Sequence, residues 1–282
     1  MPGNLEKIGP SSVSDRNLPL DGLLLVGHGT RNANGREEFL RLARELAPRL
    51  PDQVVAPCFL ELCQPDIPEG VAQLVERGCR RIVAMPLMLL AASHVRRDIP
   101  AAVCNAVANH SGIDVRMARH LGCASGIVAL SQLRRRQAID ISTNELFSHD
   151  QRAEPKVVLV SRGSRDPNAS EEMYRFAELA TADLATKPLV GFYAMTQPSL
   201  PETLRLAIEC PQEQIVVQPH LLFQGELLHE IRQQVEAYAS ECKRRKRWFL
   251  APHLGPHEIL AATIAEHYRE AWHNFSIAQS PE

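Results

Sequence analysis

Three side chains of this sequence could together handle a divalent metal ion: His28, Glu61 and His94. His28 sits in Gly27-His28-Gly29-Thr30, directly after the aliphatic run 23–26. Glu61 follows the run 54–60, and His94 lies in Ala91-Ala92-Ser93-His94-Val95-Arg96-Arg97-Asp98, after the run 81–89. A neutral imidazole offers a lone pair to a metal or a proton, and a carboxylate can relay protons. Two imidazoles and one carboxylate suit Co, Fe, Ni or Zn and leave coordination positions open for exchange. Singly, each residue has a plain structural reading, because a histidine after a strand is more often a hydrogen-bonded loop residue than a ligand. The case rests on the same placement at three strand ends.

The elements that must position these residues follow from hydrophobic periodicity. Strand-like runs at 23–26, 54–60, 81–89 and 114–118 alternate with helical patterns at 36–47, 67–76 and 95–108. Phe39, Leu42, Ala43 and Leu46 mark one face of the first helix; Asp66 is a candidate N-cap of the second, with Gly78 just past its end. Such alternation predicts an α/β fold with a parallel sheet and helices on both faces. In open parallel sheets ligands bind beyond the carboxyl ends of the strands, where His28, Glu61 and His94 fall.

The order then returns. Pro65 and Pro198, Pro86 and Pro219, and the turns His120-Leu121-Gly122 and His253-Leu254-Gly255 all lie 133 residues apart; Gly29 and Gly163, like Arg31 and Arg165, lie 134 apart. The chain is a tandem duplication. The expected division is an N-terminal extension at 1–19, a first lobe at 20–133, a polar linker at 134–155 and a second lobe at 156–275. At the positions of His28, Glu61 and His94 the second copy carries Arg162, Ala194 and Leu227. Three candidates vanish together while the turn residues persist, which favours a joint function confined to the first copy. His120, with its counterpart His253, reads as structural or cleft-lining; His220 and His229 read as surface or cleft residues, and Arg134–Arg136 as a solvated helix end.

Composition narrows the partners. Hydrophobic residues at 45% and charged residues at 23% are the balance of a globular protein. A net charge of −2 and 5% aromatic residues argue against nucleic acid. The first twenty residues lack a signal-peptide pattern, and the longest nearly apolar run, 82–92, is too short to cross a bilayer. Seven cysteines with no CxxC pair point to a reducing cytoplasm.

Taken in order, Leu25-Val26-Gly27-His28-Gly29-Thr30-Arg31, then Phe59-Leu60-Glu61-Leu62 with Gln64-Pro65, then Pro86-Leu87 through His94-Val95-Arg96-Arg97-Asp98-Ile99-Pro100 resemble the sirohydrochlorin chelatase family. The resemblance is close over residues 20–125 and looser over 155–270. It implies two tandem flavodoxin-like lobes with a tetrapyrrole in the cleft between them, in a chain that can act as a monomer. It implies insertion of a divalent metal into sirohydrochlorin, with His28 and His94 binding the metal and Glu61 assisting. Cobalt is the first expectation, iron the second, and nickel also fits; no cofactor beyond the substrate metal is expected. The substrate is a polycarboxylate, so Arg31, Arg96, Arg97, Arg162 and Arg165 are candidate anchors, guanidinium being able to grip a carboxylate with two hydrogen bonds. Insertion needs unprotonated histidine. No GxxxxGK[ST] loop is present, so no nucleotide-driven step is expected. Two rivals remain: a metal or tetrapyrrole carrier using the same pocket, and a histidine phosphatase. The second lacks its Arg-His-Gly turn, because Gly27 precedes His28.

Overall fold

The structure is a computed structural model that describes residues 20–143, 154–241 and 246–277. The extension at 1–19 and residues 144–153 of the polar stretch between the lobes lie outside the described residues.

Two four-stranded parallel sheets are present, as the repeat predicts. The first has the order β2-β1-β3-β4, from β1 (Leu20–Gly27), β2 (Gln53–Phe59), β3 (Cys79–Pro86) and β4 (Asp114–Met117). The second has the order β6-β5-β7-β8, from β5 (Lys156–Ser161), β6 (Leu189–Phe192), β7 (Gln214–Pro219) and β8 (Arg247–Leu250). Leu23, Leu24, Leu25 and Val26 are all fully buried, which is why the central strand reads as a continuous aliphatic run rather than an alternation.

Helix α1 (Ala33–Leu46) starts where the Asn32 side chain accepts from the Gly35 amide, and it buries Phe39, Leu42, Ala43 and Leu46. Helix α2 spans Ile67–Glu76, the predicted bounds, because Asp66 and Glu69 form a reciprocal capping box and Gly78 takes a left-handed φ of +86°. The third predicted helix is divided. A wide π-type turn over His94–Asp98 precedes α3 (Ile99–Val107). Pro100 is the physical reason: it has no N–H to donate, and its ring crowds the carbonyl four residues back. The second copy repeats the plan with α5 (Pro167–Ala180), α6 (Leu200–Glu209) and α7 (Glu226–Glu241). Ser199 and Glu202 form the capping box of α6, 133 residues after that of α2.

The remaining helices, α4 (Ser125–Thr143) and α8 (Glu258–Ile277), change the domain picture. Helix α4 continues through residues 134–143, so that part of the expected linker is helical. It packs on α5, β7 and β8 of the second sheet, while α8 packs on α1, β3 and β4 of the first. Each half lends its last helix to the other. The two helices also pack on each other, and Gly126 marks the close approach: a Cβ there would sit 2.0 Å from the Thr263 hydroxyl. One continuous core results, running from Leu25 and Phe39 through Ile127 and Leu130 to Leu159, Phe176, Leu260 and Ile264. Arg135, expected in solvent, is 3% exposed, donating to the Ala180 carbonyl and pairing with Asp183. Arg134 donates to the Leu254 carbonyl at 2.9 Å.

Among the described residues, no helix is long and apolar enough to cross a membrane. The six described cysteines are all unpaired. The shared core predicts that heating unfolds the chain in a single transition with equal calorimetric and van't Hoff enthalpies; two separable transitions in scanning calorimetry would contradict it.

Candidate active site

The parallel pairing of β1 with β2 does not stop at the sheet edge. The Leu60 amide donates to the Gly27 carbonyl at 2.9 Å, and the Glu61 amide to the His28 carbonyl at 3.1 Å. These two bonds bring His28 and Glu61 side by side. Gly29 completes the turn with φ +102°, and a Cβ there would lie 1.8 Å from the Glu61 carbonyl oxygen. The space left by the missing side chain of Gly29 therefore admits the backbone of the neighbouring loop.

His28 Nε2 lies 3.5 Å from Glu61 Oε1, and the rings of His28 and His94 meet edge to face with centroids 5.1 Å apart. His94 stands at the start of the wide turn before α3, and its Nδ1 is 2.8 Å from Asp98 Oδ2. A carboxylate can only accept there, so in the neutral ring the proton sits on Nδ1 and Nε2 carries the lone pair. Metal-binding histidines are commonly oriented in this way. His28 makes a longer Nδ1 contact, 3.4 Å, to the Gly29 carbonyl, which favours the same tautomer. Burial of the His28 ring lowers its pKa below the ordinary histidine value; the Glu61 charge acts in the opposite direction, and His94 and Arg162 add to the lowering. The predicted trio is thus gathered around His28. Among the described residues, no group of three or more His, Cys, Asp and Glu side chains forms a ready metal cage.

The second lobe builds the same turn without the chemistry. Ala194 donates to the Arg162 carbonyl at 2.9 Å, and a Cβ on Gly163 would lie 1.8 Å from the Ala194 carbonyl. Leu227, the counterpart of His94, lies inside α7 and packs against the apolar cluster of the second sheet.

A cavity of about 870 Å³ opens between the lobes, within the usual range for a ligand site. His28, His94 and Arg97 line it from the first lobe, and Arg162, Arg165 and His220 from the second. Arg162 and Arg165 are exposed within it. Arg31 is elsewhere: the turn at Gly29 directs it to a separate depression beside Asn32, Arg36 and Cys63. Arg96 is not among the residues lining the cavity, although with Arg97 it lowers the pKa of Asp166 across the cleft, after the hydrogen bonds from Asn168.

Two features escape the sequence. His220 is 3% exposed, its ring centroid lies 4.1 Å from that of Phe176, and its Nε2 has no hydrogen-bond partner among the described residues. Burial pushes its pKa down to about 3. His120 and His253 bridge the lobes: His120 Nε2 lies 2.8 Å from Glu172, and His253 Nε2 3.2 Å from Glu38. Glu38 and Glu172 are 134 residues apart, so the repeat itself held the signal.

The CbiX family model matches the chain twice, over residues 22–138 and 156–271. A "sirohydrochlorin ferrochelatase" of Priestia megaterium is 30% identical over 247 residues, 87% of this chain and 88% of that protein. A "sirohydrochlorin cobaltochelatase" of the same organism is 26% identical over 253 residues, covering 89% and 80%. Among solved structures, SirB from Bacillus subtilis with Fe3+ superposes with a TM-score of 0.78 at 24% identity, covering 92% of this chain and 98% of that one. That likeness supports the fold.

The local electrostatics predict that His28 titrates below the ordinary histidine value in an NMR pH series. Glu61→Gln should lower it further, because it removes the charge that favours imidazolium. A rise in the His28 pKa on that substitution would contradict the arrangement.

Proposed function

The chain belongs to the CbiX family, and from that premise we propose that it inserts a divalent metal, Co2+ first and Fe2+ second, into sirohydrochlorin with release of two protons. The observation that carries this reading is the asymmetry of the cleft. One wall presents His28 and His94 in edge-to-face contact, with Glu61 beside His28, and the facing wall presents arginines where the repeat has lost that set.

The chemistry follows from these side chains. Insertion exchanges the water ligands of the metal for four pyrrole nitrogens, while two pyrrole N–H protons leave. The Nε2 lone pairs of His28 and His94 can hold the incoming ion or accept a proton. Glu61, half-exposed beside His28, can pass that proton to solvent. The lowered pKa of His28 keeps it unprotonated near neutrality. Arg97, Arg162 and Arg165 can grip carboxylates on the rim of the substrate, which would hold the macrocycle across the cleft. Cobalt is placed ahead of iron because nitrogen donors bind Co2+ more tightly than Fe2+. The metal is a substrate here, and the proposal needs no resident cofactor.

Insertion followed by absorbance, with purified sirohydrochlorin and each metal, tests the reading. His28→Ala and His94→Ala should each slow insertion about 100-fold or more, the usual worth of a positioned proton acceptor or donor. Arg162→Ala should raise KM for the tetrapyrrole about 10- to 100-fold and leave kcat nearly unchanged, since a charge-assisted hydrogen bond contributes about 1.5–3 kcal/mol. Near wild-type rates in both histidine variants would end the site assignment, binding without turnover would make the protein a carrier, and an unchanged KM would remove Arg162 from substrate binding.

A further inference from the structure

Outside the metal set, two contacts between the lobes repeat with the chain. Glu172, on α5 of the second lobe, holds two groups of the first: His120 Nε2 donates to its Oε1 at 2.8 Å, and the Ala91 amide donates to its Oε2 at 2.7 Å. Glu38, on α1 of the first lobe, does the reverse. The Gln224 amide donates to its Oε2 at 2.7 Å, and His253 Nε2 lies 3.2 Å from both of its oxygens. Every partner in one contact has its counterpart 133 or 134 residues away in the other. All four side chains are largely buried, at 15–21% exposure. Burial alone would raise the pKa of Glu172, but the bonds from His120 and Ala91 outweigh it and hold the carboxyl below the usual range.

The two clamps are the same device, yet they hold different cargo. Ala91 opens the loop that carries His94. One residue on, the Ala92 carbonyl accepts from the Val95 and Arg96 amides at 3.0 and 3.3 Å, winding the turn on which His94 stands. Gln224, in the mirrored position, leads into α7 and the apolar Leu227. We propose that Glu172 is a positioning residue for metal handling: from the second lobe it pins the His94 loop of the first, so the spacing of His94 from His28 depends on the lobes staying closed. Glu38 is its structural twin, with no histidine to place. The inference rests on the chelatase reading above and assigns the second lobe a part in that chemistry beyond gripping substrate.

The twin supplies the control. Glu172→Ala and Glu38→Ala, made in the full chain, should lower Tm by similar amounts and raise amide exchange in the loops at 91–96 and 224–229 respectively. Only Glu172→Ala should lower kcat for Co2+ insertion, by about 10-fold or more, because small displacements of a reacting group carry penalties of that order. Glu172→Gln still offers an acceptor to the Ala91 amide and should recover most of the lost kcat. Glu172→Asp keeps the charge but draws it back from Ala91; should the alanine variant fail to fold, this variant carries the test and should show the kcat loss. Equal losses of kcat in the two alanine variants, or a wild-type kcat in both Glu172→Ala and Glu172→Asp, would overturn the inference while leaving the chelatase reading intact. Absence of insertion by the wild-type chain would instead overturn the chelatase reading, and this inference with it.

Discussion

Everything in this protein depends on one packing constraint: a parallel sheet with aliphatic residues on both faces must be covered twice. In each half, two helices cover the outer face, α2 and α3 on the first sheet and α6 and α7 on the second. The inner face of each sheet receives one helix from its own half and one from the other, α1 with α8 and α5 with α4. Burial of Leu260, Ile264 and Tyr268 of α8 in the shared core contributes several kcal/mol, at roughly 1.5–3 kcal/mol for each large apolar side chain. None of that is available to a half alone. The lobes are therefore not two beads on a linker but two sheets sharing one core, and the cleft between their strand ends has its width set by that core.

This explains how a site can be divided between copies. The duplication supplies two equivalent sets of strand ends, and closure of the core turns them toward one cavity. The first copy carries His28, Glu61 and His94, whereas the second keeps the turn backbone around Gly163 and places Arg162 where the imidazole would stand. A cleft with imidazoles on one wall and arginines on the other suits the proposed substrate, which is basic at its centre and acidic at its rim. The exchange of helices also makes contacts such as Glu172 with Ala91 possible, because each lobe is braced from within the other.

Much of this was legible in the residues. The bounds of α2 followed from Asp66 and Gly78, since an N-cap and a left-handed C-terminal glycine act locally and need no knowledge of the fold. The gathering of His28, Glu61 and His94 followed from placing each at the carboxyl end of a parallel strand. What stayed hidden is non-local. The apolar stripe of α8 is the same whichever sheet it covers, so the exchange left no mark in the periodicity. Glu38 and Glu172 occupy positions that look like solvated helix faces until the other lobe is brought against them. Arg31 lies three residues from His28, yet the positive φ of Gly29 turns the chain away from the cleft between them. Arg135 looked like one of three solvated charges because its partner, Asp183, is 48 residues away.

If the first lobe alone handles the metal, the number of ions that the chain binds is fixed by the asymmetry of the repeat. Calorimetric titration of the full chain with Co2+, with metal-edge absorption to identify the donors, measures this most directly. The account predicts one Co2+ per chain with imidazole nitrogen among its ligands, and loss of that binding in the His28→Ala/His94→Ala double variant. Two equivalent ions per chain, or undiminished binding in the double variant, would contradict it.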